Sequence, residues 1–115
     1  MSDLTPRRLA LVATGGVVGA LARWLIALAV PGLGGTLVAN VTGAFALGAL
    51  LAVAAAGYLP PRLVAFAATG ALSSYTTYST FAVESVLAVS PALVAGNVLA
   101  NYCLGFAAAF AGQLT

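Results

Sequence analysis

Eight hydroxyl side chains fall within nine consecutive positions, Ser73-Ser74-Tyr75-Thr76-Thr77-Tyr78-Ser79-Thr80-Phe81, in an otherwise overwhelmingly apolar chain. Hydroxyls both donate and accept hydrogen bonds, and clustered serines and threonines compete with the helical ladder for its backbone partners. β-Branched threonines lower helix propensity further. The run therefore predicts a helix broken near Ser73–Thr77. At membrane depth the freed carbonyls of such a break need a cation or hydrogen-bond donors, as where two half-helices meet at a bound ion. Beyond the break, Glu84 is the one acidic residue inside an apolar stretch.

Other polar residues recur at helical spacing. Thr36 and Asn40 stand four apart with Gly43 continuing their face, and Asn97, Asn101 and Gly105 repeat the step later in the chain. An asparagine left unpaired in an apolar setting is costly. As glue between helices it contributes about 0.6 kcal/mol per contact. Three of them beside the hydroxyl run describe a polar track. Its donors are the Asn40 amide, the hydroxyls of Thr36, Thr77 and Thr80, and the ring edges of Tyr78 and Phe81, the positive rim of an aromatic quadrupole. Such groups hold a small anion without a fixed positive charge, a balance that suits conduction, where an ion must enter and also leave. Water or a neutral polar solute would be served by the same donors. The residues favour a polar or anionic permeant and do not name it.

The remaining candidates are structural. Gly15, Gly19 and Arg23 lie at steps of four on one face of the first apolar segment. Gly15-x-x-x-Gly19 lets another backbone approach closely. Arg23 either snorkels to the far interface or pairs inside a polar interior. Glu84 is placed in the same structural group.

The elements that must position these residues follow from composition. Hydrophobic residues make up 63% of the 115-residue chain and charged residues 5%, against roughly a quarter charged in a soluble domain. Apolar stretches at 9–30, 36–59, 63–90 and 91–114 each reach the ~20 residues a helix needs to cross a bilayer. Pro31-Gly32, Gly34-Gly35, Gly57, Pro60-Pro61 and Pro91 punctuate them. A cleavable signal peptide fits the first stretch poorly, since it is long, contains Arg23 and precedes equally apolar chain. The expectation is an all-α integral membrane protein, a single domain over 1–115 with four transmembrane helices, the third broken. An even number of crossings places both termini on one side, with Arg7 and Arg8 cytoplasmic. Four scattered arginines, at 7, 8, 23 and 62, make no nucleic-acid footprint. Cys103 is a lone thiol in a chain without histidine, which excludes disulfide frameworks and ordinary zinc sites. No base stands near the hydroxyls to activate one as a nucleophile, so no enzyme is expected.

Three strings carry a further resemblance: Gly15-x-x-x-Gly19-Ala20-x-x-Arg23-Trp24, then Gly35-Thr36-Leu37-x-x-Asn40-x-x-Gly43-x-Phe45-x-x-Gly48, then Thr69-Gly70 followed by Thr76-Thr77-Tyr78-Ser79-Thr80-Phe81-x-x-Glu84. With them the chain resembles the Fluc/CrcB family of fluoride channels through nearly its whole length, most specifically in the last string and more loosely in the fourth helix. The resemblance implies a fluoride-selective channel in the cell (plasma) membrane that exports F⁻ passively and lowers cytoplasmic fluoride. It implies an antiparallel, dual-topology dimer, a homodimer or a pair with an oppositely oriented paralogue, with two pores. It further implies a central structural Na⁺. On this pattern Asn40 matches the pore asparagine that donates to fluoride, Phe81 the second of two paired phenylalanines, and Tyr78 stands in place of the first. The Na⁺ contacts would be the main-chain carbonyls of Ser73 and Thr76 from both subunits. The chain departs from the pattern in carrying Ser73-Ser74 where the family usually has Gly-Gly, and Gly105 where it has a pore serine.

Two other classes compete. A small proton-coupled multidrug exporter has similar size and span number, but it needs a membrane carboxylate, typically in the first helix, where this chain has Arg23. A non-transporting membrane assembly protein accounts for the glycines and asparagines, and leaves the eight hydroxyls unexplained.

Overall fold

The computed structural model describes residues 5–88 and 90–114 of the chain; Asp3 lies outside them. Helix α1, Pro6–Ala29, begins where Thr5 Oγ1 accepts the Arg8 N–H at 3.1 Å. Pro6 sits in the first turn, where no backbone donor is needed. Capping chemistry, rather than hydropathy, thus starts the helix ahead of residue 9. Helix α2, Leu33–Ala55, is entered through Gly32 at φ 77° and left through Gly57 at φ 87°, left-handed values that glycine adopts without steric penalty. That exit ends α2 short of the expected 59. Helix α6, Pro91–Gln113, repeats the opening of α1: Ser90 Oγ accepts the Leu93 N–H at 3.1 Å and Pro91 follows.

These three helices, of 24, 23 and 23 residues, are long and apolar enough to cross a membrane. At 1.5 Å per residue each measures about 35 Å, against a hydrocarbon core of about 30 Å. The chain is a multi-pass membrane protein by this measure.

The third apolar stretch is built differently. It runs as α3 (Pro61–Val64), a π-helical segment (Ala65–Leu72) and α4 (Ser73–Tyr75), breaks at Thr76-Thr77, and resumes as α5 (Tyr78–Leu87). Thr76 (φ −80°, ψ 156°) and Thr77 (φ −149°, ψ 118°) are extended. The break is therefore shorter than the predicted Ser73–Thr77. Ser73 stays helical because its hydroxyl turns back onto the Thr69 carbonyl, and Thr76 Oγ1 donates to the Leu72 carbonyl at 3.1 Å. Hydroxyls absorbed in this way coexist with the helix. The stretch also stops before the expected residue 90, Ala88 already being extended.

In space, α1 packs along the π-helical segment and α4, and α2 packs along α6, with α5 lodged against α2 and α6. Both main pairings are backbone-close. A Cβ on Gly15 or Gly19 would run into the carbonyls of Phe66 or Ala71, and one on Gly48 or Gly112 into those of Ala109 or Phe45. Small residues allow such approach where lipid supplies no hydrophobic drive between helices. The buried hydrophobic residues are Ala39, Ala65 and Phe81, while Leu21, Trp24 and Leu28 on α1 and Phe106 and Phe110 on α6 are more than half exposed. An apolar exterior this continuous fits a lipid-facing surface.

Candidate functional site

Asn40, about a third of the way along α2, faces the break and pairs with its peptide on both sides. Its Oδ1 accepts the Thr77 N–H at 2.8 Å and its Nδ2 donates to the Thr77 carbonyl at 3.1 Å. The same Nδ2 donates to Asn101 Oδ1 on α6 at 3.1 Å. Asn101 Nδ2 in turn donates to the carbonyl and Oδ1 of Asn97, at 2.9 and 3.0 Å. Asn97 Nδ2 donates to Ser85 Oγ at 2.8 Å, and Ser85 Oγ to the Phe81 carbonyl at 2.8 Å. One hydrogen-bonded chain thus runs from the break through α2 and α6 to α5. The helical step of four puts Asn97 and Asn101 on one face and Phe81 and Ser85 on another, which is why the chain closes.

These bonds also account for the carbonyls at the break. Helical continuation would send the Thr77 N–H to the Ser73 carbonyl; Asn40 Oδ1 takes it instead. Continuation would likewise send the Thr80 N–H to the Thr76 carbonyl; Thr77 Oγ1 takes it at 3.1 Å, capping α5. The break leaves several carbonyls without their helical donors, and the Ser73 and Thr76 carbonyls, expected as Na⁺ contacts, are among them. Carbonyl oxygens are hard ligands suited to a hard cation. Ser73 itself has φ −68° and ψ −27°, and no described non-glycine residue has positive φ. Serine in place of glycine therefore leaves the backbone unstrained there. Among the described residues, no cluster of three or more His, Cys, Asp or Glu offers an alternative metal site.

Two cavities flank the break. The larger, about 460 Å³, is a groove whose walls include Asn40, Asn101, Thr77, Tyr78, Phe81 and Gly105. Phe81 is buried, whereas Tyr78 is 72% exposed. Their ring centroids are 5.8 Å apart, and Phe81 meets Tyr102 edge-to-face at 6.0 Å, with Phe106 a further 6.0 Å along. A Cβ on Gly105 would meet nothing within 4 Å, so there is room for the side chain that glycine lacks. The smaller cavity, about 100 Å³, is lined by Arg23, Thr36, Thr77, Thr80 and Glu84 among others. Arg23 turns inward, its Nη1 donating to Thr80 Oγ1 at 3.5 Å. Arg23 Nε and Glu84 Oε1 are buried there without a hydrogen-bond partner.

The candidates thus sort into three places. Asn40, Thr76, Thr77, Tyr78 and Phe81 line the groove; Thr36, Thr80, Arg23 and Glu84 line the smaller cavity, and Thr77 lines both. Ser73 borders neither, and Gly15 and Gly19 serve the α1 contact. Sequence reasoning missed Ser85, Tyr102 and the Tyr75–Thr42 hydroxyl pair, whose oxygens are 2.8 Å apart. For Ser85 the signal was its place one turn beyond Phe81. Nothing in the local sequence marks the other two.

Comparison with known proteins bears on the whole chain. Residues 10–113 match the family model described as CrcB-like protein, Camphor Resistance (CrcB). A protein of Natronomonas pharaonis named fluoride-specific ion channel FluC 1 is 51% identical over 108 residues, covering 91% of this chain and 90% of the relative. A Haloarcula marismortui protein of the same name is 44% identical, covering 96% and 86%. FluC 2 of Halobacterium salinarum is 47% identical, covering 93% and 84%. With a match that takes in every helix from α1 to α6, the chain belongs to the CrcB family.

Proposed function

We propose that this protein is a fluoride channel that exports F⁻ passively across the cell membrane and so lowers cytoplasmic fluoride. The observation that carries the reading is the Asn40 amide, held at the helix break and bordering a groove edged by Phe81 and Tyr78. Fluoride is small and strongly hydrated, so a pathway must replace its water with close donors. Amide N–H, threonine hydroxyls and ring edges do so without a fixed cation that would retain the ion. Thr77, which borders both cavities, links a vestibule at Arg23, Thr36 and Thr80 to the groove. A cell interior negative by 100 mV drives a monovalent anion outward by about 2.3 kcal/mol, so no coupled energy source is required.

The groove is open on one side, and Tyr78 and Ser73 stand exposed at the break. Polar backbone at membrane depth must be covered by protein, which supports an antiparallel dimer, of identical chains or with an oppositely oriented paralogue. In that assembly the Ser73 and Thr76 carbonyls of both chains would hold a structural Na⁺. The ion's charge would then offset the converging carbonyl dipoles.

Liposomes loaded with fluoride and clamped at a fixed potential test the function. Rapid fluoride release with chloride retained is the expected result. Fluoride retention beside rapid chloride release would overturn it.

A further inference from the structure

An asparagine amide has two N–H donors. Asn40 gives one to the Thr77 carbonyl and one to Asn101 Oδ1, so neither is free for an anion. The Thr77 contact is half of a two-point pairing, whereas the Asn101 contact is single. The Asn101 contact is the one to yield. We propose that Asn101 is a switchable second amide of the anion pathway: its Oδ1 holds the Asn40 donor in the empty state, and its Nδ2 replaces that oxygen when fluoride arrives. The inference rests on fluoride passing at Asn40.

Rotating an amide by half a turn about its Cβ–Cγ bond exchanges donor for acceptor at nearly constant shape. Asn101 cannot turn alone, because its Nδ2 is bound to Asn97; turned alone, its oxygen would face Asn97 Oδ1. If Asn97 turns with it, Asn97 Nδ2 donates to Asn101 Oδ1, and Asn97 Oδ1 faces Ser85 Oγ. Ser85 completes the exchange because a hydroxyl both donates and accepts. Its hydrogen, now on the Phe81 carbonyl, swings to Asn97 Oδ1. The carbonyls of Phe81 and Asn97 each give up a side-chain donor, and the groove gains two convergent N–H groups at Asn40 and Asn101. Both residues already line it. A terminus that could only donate, or only accept, would lock the chain in one polarity.

The test is a sodium fluoride titration of the ¹⁵N-labelled full chain in lipid nanodiscs, with total Na⁺ constant and chloride as control. Side-chain amide resonances are read alongside liposome efflux. The expected result is that the Asn40 and Asn101 amide protons both move downfield with one midpoint, and that Asn97 shifts with them. Ser85→Ala, which leaves Asn97 without its terminal partner in either polarity, should uncouple the Asn97 shift from that of Asn101 and lower efflux about tenfold, the loss of roughly one hydrogen bond. Ser85→Thr, which keeps the hydroxyl, should restore most of it. Movement at Asn40 with Asn101 still, in a conducting protein, overturns the switch and leaves the channel reading intact. A wild-type chain that neither conducts nor shifts overturns the channel reading itself. Conduction with both amides still overturns the switch and the donor role of Asn40 together.

Discussion

At the scale of single residues, the amide of Asn40 is more constrained than a pore donor alone would be. It closes the break and joins the asparagine chain at once. Asn40→Asp retains an oxygen for the Thr77 N–H but removes both donors and adds a charge that repels an anion. We expect the mutant to assemble and its fluoride efflux to fall at least tenfold, on the scale of one lost hydrogen bond or more. Assembly is read by size-exclusion chromatography and flux by electrode. Phe81→Ile keeps bulk but removes the ring edge at a buried position meeting both Tyr78 and Tyr102. It should slow efflux and cost about 1–2 kcal/mol of stability, measured as a lowered Tm in detergent. Gly105→Ser makes the opposite case. Open space surrounds its Cβ position, and serine is a slightly better helix former than glycine. The variant should keep its Tm and conduct at least as fast as wild type, because it adds a hydroxyl to the groove. A collapsed Tm would show that Gly105 is needed for packing.

At the scale of elements, the short helix α5 depends on Thr77, whose Oγ1 caps it and whose peptide Asn40 grips. Thr77→Ala should lose about 1 kcal/mol of cap stabilisation together with fluoride flux, while Thr77→Ser should preserve both in paired thermal and efflux measurements. This element also shows how much the sequence could tell. Hydroxyl density announced a break, and helical spacing placed Asn97 and Asn101 on one face. Where within Ser73–Thr77 the break falls was not legible locally, because Ser73 and Thr76 fold their hydroxyls back into the helix. A residue 37 positions away, Asn40, captures the Thr77 N–H. Nor does hydropathy reveal the π-helical segment Ala65–Leu72, since an all-apolar window carries no periodic signal from which to read register. Helix ends were set by Thr5, Ser90 and the positive-φ glycines, features that a count of apolar residues passes over. Arg23 was open between two orientations in the sequence. Its inward turn reflects a vestibule made by residues from three separate segments, Thr36, Thr80 and Glu84 among them.

At the scale of the whole molecule, two physical effects pull in opposite directions, and the orientation of the chain in the membrane decides between them. With the N-terminus cytoplasmic, Arg7, Arg8 and Arg62 lie on one side, and Arg23, turned inward onto Thr80, leaves the other side without an arginine. The positive-inside rule then favours a single orientation. Against it stands the open groove. Tyr78 is largely exposed and Ser73 sits at the surface, an arrangement that lipid cannot solvate and a second, oppositely directed chain would cover. Three arginines give a bias of a few kcal/mol at most, whereas exposed polar backbone in hydrocarbon costs several kcal/mol per group. Covering the break outweighs the arginine bias, so that bias does not forbid an antiparallel pair, which is the cover we propose. Replacing Cys103, which is exposed, by alanine and placing a single cysteine at residue 2 provides the measurement. An impermeant thiol reagent applied from either face of sealed vesicles should label a substantial fraction of the chains from each. Labelling confined to one face, in a preparation that conducts fluoride with no second gene product, would exclude the dual-topology dimer and require the groove to be covered by a parallel neighbour.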